Sequence, residues 1–62
     1  MTTTDLLNDL IRTAQERIVK LNKDMLYASD PGMIHWYKGA MTAYHGRILT
    51  YRNLLEKYDN SK

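Results

Sequence analysis

Apolar residues recur at alternating spacings of four and three along both halves of this chain, and no charge interrupts either run. The first series is Leu7, Ile11, Ala14, Ile18, Leu21, Met25 and Ala28. The second is Ile34, Tyr37, Met41, Tyr44, Ile48, Tyr51, Leu55 and Tyr58. This is the a/d pattern of a left-handed coiled coil or helical bundle, in which one stripe of each helix faces its neighbour.

Pro31 is the single proline and separates the two runs. Proline lacks an N–H and its ring clashes with the preceding turn, so the first helix must end by about Ala28. Asp30 suits the N-cap of a second helix and Pro31 its first position. The pattern predicts helices over about residues 4–28 and 31–58, with a cap near Thr3 or Thr4. A turn is expected at 29–31 and a frayed tail at 59–62. So short a connection forces the helices antiparallel. The expected fold class is all-α, a two-helix hairpin filling residues 1–62 as one domain.

Composition says what such a hairpin lacks. At 62 residues, a monomeric core rarely supplies more than ~3–5 kcal/mol, and small proteins add disulfides, a metal or further subunits. Cysteine is absent, which removes disulfides and thiolate metal sites together. Association remains. Leu10, Val19 and Leu26 widen the first stripe, and Met33, Trp36, Leu49 and Leu54 add apolar side chains to the second helix. Two helices cannot bury all of these, and a large uncovered apolar patch normally marks an interface. The expectation is a homodimer that forms a four-helix bundle about a two-fold axis, with a complex with a target protein as the competing solution.

The second helix repeats in sevens: YKGAMTA, YHGRILT, YRNLLEK, YDN. Tyrosines on a seam can bury their rings while the hydroxyls reach water, which is the core reading. Exposed aromatics flanked by cations can instead stack unpaired bases. However, the row of Ile34, Met41, Ile48 and Leu55 separates the tyrosines from Lys38, His45 and Arg52. Gly39 and Gly46 each cost ~1 kcal/mol relative to Ala inside a helix. With Ala43 and Thr50 they form a strip of small residues opposite the tyrosines, where either nothing packs or another helix approaches closely. Trp36 at the end of that strip and Arg47 beside it are the residue types of binding hot spots.

Charge points to no single partner class. The net charge is +2, with Asp5 and Asp9 at the start of the first helix, where its dipole favours anions. Glu16 and Lys20 are spaced as a favourable i,i+4 pair. Between Arg12 and Arg52 seven basic residues face three acidic ones, a balance milder than that of most nucleic-acid modules. His35 and His45 are too far apart in sequence to share a metal on one helix face. Gly39 and Gly46 lie within a helix rather than in a phosphate loop after a strand, and the carboxylates Asp5, Asp9, Glu16 and Asp24 spread along one helix. The expectations are no catalytic residues, no metal, no cofactor and no small-molecule substrate. The first residues, Met-Thr-Thr-Thr-Asp, have no basic segment followed by an apolar one, and no apolar run approaches a membrane span. A cytoplasmic protein without membrane association is expected.

The layout of two seams joined by a short turn resembles that of the Rop family of plasmid copy-number regulators. In that family short helical hairpins dimerise into a four-helix bundle that binds RNA. The resemblance lies in layout rather than motif. Very short, cysteine-free helical chains are also a common form among phage and mobile-element regulators. Two functional expectations follow. The first is a non-enzymatic regulator or inhibitor that binds a larger cellular protein through Trp36, Gly39, Ala43, Gly46 and Arg47. The second is Rop-like RNA binding through Lys20, Lys23, Lys38, His45 and Arg52.

Overall fold

The computed structural model describes residues 2–60, with side chains through Tyr58. Two helices, α1 (Thr3–Leu26) and α2 (Pro31–Asn60), pack against each other as a hairpin. The hairpin measures 50 × 17 × 11 Å between Cα atoms.

α1 begins with a reciprocal cap. Thr2 has extended backbone, its Oγ1 accepts from the Asp5 N–H at 3.1 Å, and the Asp5 carboxylate accepts from the Thr2 N–H at 3.3 Å. Two of the four orphan N–H groups of a helix start are thereby satisfied. The cap is Thr2 rather than Thr3 or Thr4 because only Thr2 has an acidic side chain three residues ahead. α1 ends at Leu26, two residues before Ala28. There the Tyr27 and Ala28 N–H groups turn back to the carbonyls of Asp24 and Met25, each at 3.1 Å, tightening the last turn. The connection is therefore 27–30, longer than the expected turn at 29–31.

Asp30 caps α2 as its chemistry suggests. Its carbonyl accepts from the Ile34 N–H at 3.1 Å and its Oδ1 from the Gly32 N–H at 2.9 Å. α2 continues to Asn60, so Asp59 and Asn60 are helical where a frayed tail was expected; Ser61 and Lys62 lie outside the described residues.

The seam residues of α1 are all buried or half-buried, and so are those of α2 from Ile34 to Leu55. Tyr58 departs from the pattern at 47% exposed. With Arg17 level with Tyr44, an antiparallel register places Tyr58 beside the first residues of α1, at the open end of the hairpin. Ala40, outside the seam series, is half-buried as well.

Side-chain size explains the pairing. The tyrosines occupy position d of α2, and d of α1 is Leu7, Ala14, Leu21 and Ala28. At two levels large rings meet small partners: Tyr44 and Ala14 line one cleft, Tyr37 and Ala28 another, while Leu21 lines a cleft with both rings. Position a is aliphatic on both helices. Among the described residues only Leu7, Ala14 and Ile48 are buried, at 5–6% exposed. The ion pair seen among the described residues joins Arg12 and Asp9 at 3.1 Å, rather than the expected Glu16 and Lys20. No described helix is long and apolar enough to cross a membrane.

A candidate interaction groove

An antiparallel hairpin has two long edges. On one, the helices present their g positions: Leu10, Arg17 and Asp24 from α1, Met33, Ala40 and Arg47 from α2. A cleft of about 450 Å³ opens here between Arg17, Lys20, Leu21 and Asp24 on α1 and Trp36, Tyr37, Ala40 and Tyr44 on α2. Arg17 and Tyr44 also line a second cleft, which extends to Leu10 and Tyr51. Asp24 and Tyr37 line a third, which reaches Met33 and the turn. Shared walls join the three into one groove, floored by Tyr37, Tyr44 and Tyr51.

The middle of the groove is cationic. The Arg17 Cζ stands 6.0 Å from the centroid of the Tyr44 ring and the Arg47 Cζ 5.2 Å from it. Arg17 also donates to the Tyr44 hydroxyl at 3.4 Å. Guanidinium groups at such distances are attracted to the ring's quadrupole. Trp36 meets Tyr37 edge to face with centroids 5.3 Å apart, yet remains 59% exposed. Leu10, Met33 and Tyr27, which also line the groove, are exposed too.

The other edge is built differently. Its cleft is lined by Gln15, Ile18, Val19, His45, Ile48 and Arg52. Position e supplies Asn8, Gln15 and Asn22 from α1 and Lys38, His45 and Arg52 from α2, beside the aliphatic a row.

The two expected residue sets are divided by this geometry. Of the contact set, Trp36 and Arg47 line the groove. Gly39 and Gly46 lie on the outward face, where a Cβ would meet nothing within 4 Å. Ala43, one heptad after Trp36, is exposed between the two. The strip's one internal bond runs from the Thr50 hydroxyl to the Gly46 carbonyl at 3.1 Å. Of the nucleic-acid set, Lys20 lines the groove, whereas His45 and Arg52 line the opposite cleft. Lys38 shares their heptad position, and Lys23 shares the outward position of Asp9 and Glu16. These five residues do not gather on one surface.

Sequence reasoning overlooked Arg17. The signal was present, because Arg17 follows Leu10 by one heptad and g positions face each other along one edge of an antiparallel pair. Among the described residues no three His, Asp or Glu side chains are placed to hold a metal. Comparison of the chain with protein-family models, with curated proteins and with solved structures gave no match.

Proposed function

We propose that this chain is a non-enzymatic interaction module, which pairs with a second copy and occupies a surface on a larger cellular protein as a regulator or inhibitor. One observation carries the reading: both edges of the hairpin expose large apolar side chains. Leu10, Met33 and Trp36 do so along the groove, and Val19 does so at the opposite cleft. The chain exposes 4965 Å², against about 4,200 Å² for a folded protein of its mass. The difference is of the size that one partner contributes to a standard interface, about 800 Å².

Charge distributes the two roles. Pairing into a four-helix bundle over the aliphatic edge, with the two-fold axis running along the helices, sets Lys38, His45 and Arg52 of one copy against the uncharged Asn8, Gln15 and Asn22 of the other. The same pairing over the groove would bring two copies of Arg17 and Arg47 together near the two-fold axis. The groove is therefore the face left for the target.

Solution mass by light scattering and affinity capture from the native host, with and without nuclease, test this reading. The expected result is a dimer and a co-purifying protein that survives nuclease, is lost with Trp36→Ala and is kept with Gly39→Ala. A stable monomer at high concentration with no companion refutes it. RNA binding in the manner of the Rop family draws on Lys20, Lys23, Lys38, His45 and Arg52. It predicts a companion lost to nuclease and an affinity that falls steeply with salt.

A further inference from the structure

Resting on that reading, we infer that the groove takes an amphipathic α-helix bearing a carboxylate at its middle, seated between Arg17 and Arg47. Among the described residues, neither guanidinium nor the Lys20 ammonium has a carboxylate within ion-pair distance. Both guanidinium groups attend the same ring. Two like charges on one stretch of a concave, half-apolar wall raise the local positive potential and favour an anionic partner group. Arg is also the side chain whose planar fork fits a carboxylate in two parallel hydrogen bonds.

The backbone decides the form of the partner. The walls are helices whose N–H and C=O groups are paired within themselves, so the groove offers no main-chain ladder to an extended peptide. A helix brings its own backbone bonds and needs only side-chain contacts. From Leu10 to Ala28 the groove runs about 27 Å, the length of a helix of about eighteen residues. Leu10, Trp36 and Met33 supply apolar contacts spaced along it.

Single-stranded nucleic acid fits less well. The tyrosine rings are half-buried, and the Tyr44 ring already has two guanidinium groups against it, which leaves little open face for a base to stack on. Three cations along such a length are also few for tracking phosphates. A second copy would place four guanidinium groups at the centre of its own interface.

Trp36 is the sole tryptophan, so its emission reports occupancy directly. The probes are two tryptophan-free amphipathic leucine/alanine helices, one with Glu and one with Lys at the centre of the docking face. The Glu peptide should shift Trp36 emission to the blue and saturate, with the Lys peptide at least about tenfold weaker. The double variant Arg17→Gln/Arg47→Gln, checked by circular dichroism for retained fold, should lose that preference, and Arg17→Lys/Arg47→Lys should keep part of it. Equal responses to both peptides, or none, overturn the inference. So does an oligothymidylate that outcompetes the Glu peptide. A blue shift of the chain alone with doubling of mass overturns it as well, because the groove then belongs to a second copy. If capture from the host persists while both peptides fail, only the acidic-helix assignment falls; loss of capture removes the broader reading.

Discussion

The two edges of this hairpin share one seam but differ in what they do with it. On the aliphatic edge the a-row side chains are branched or flexible hydrocarbons, and Ile48 is only 6% exposed. The other a-row side chains are half-buried, and the remaining buried residues, Leu7 and Ala14, belong to the d row, so both rows contribute to the core. On the groove edge the d row is tyrosine, whose rings rest on Ala14, Leu21 and Ala28 while their polar ends reach the surface. That row contributes area to the core and at the same time floors an accessible groove. The two edges thus differ in chemistry, one lined by aliphatic side chains and the other by aromatic rings and guanidinium groups.

The largest effect expected from this division is at Ile48. Ile48→Ala should cost ~3 kcal/mol, which is most of the stability available to a chain of this size. Urea titration followed by far-UV circular dichroism measures it. A loss below about 1 kcal/mol would mean that the aliphatic edge is not where folding resides. Tyr44→Ala should cost less, ~2 kcal/mol, because the ring is half-buried and its space partly collapses. Tyr44→Phe should stay within about 0.5 kcal/mol, since the hydroxyl bond to Arg17 is long and near solvent. A large effect of Tyr44→Phe would make the Arg17 contact structural and blur the distinction between the edges.

Gly46→Ala acts on neither edge. It should raise stability by about 0.5–1 kcal/mol, since the added methyl meets open space and the helix gains propensity. Groove binding should be unaffected. Weaker partner capture by this variant would move the contact surface to the outward strip. The smallest folding effects belong to Trp36→Ala and Leu49→Ala, each within about 0.5 kcal/mol of the parent by thermal melt, as both side chains are mostly exposed. The pair then separates the groove from the outward surface: capture of the target should fail with Trp36→Ala and persist with Leu49→Ala.

Much of the architecture was readable from spacing because helical periodicity is local. All seven residues assigned to the first seam, and seven of the eight assigned to the second, are buried or half-buried in the fold. Asp30 and Pro31 announced the start of α2 through chemistry confined to one turn. The boundaries were less legible. Where α1 stops depends on how the chain reaches Asp30 and Pro31, and Tyr58 is exposed because α1 begins where α2 is ending. The site was legible in part. Trp36 and Arg47 stood out as residue types, but the expected surface joined them to Gly39 and Gly46, which face elsewhere. Arg17 was passed over because its significance comes from a residue twenty-seven positions away.

What the sequence determined unaided is the pair of helices, their antiparallel course and the rows that meet, because each follows from a repeat of three and four residues and one proline. What only the tertiary structure decided is which residues line each edge of the seam and which charges gather there. Those depend on the register between the helices, and register is set by how tyrosine rings and small residues fit across the interface, a property that neither helix possesses alone.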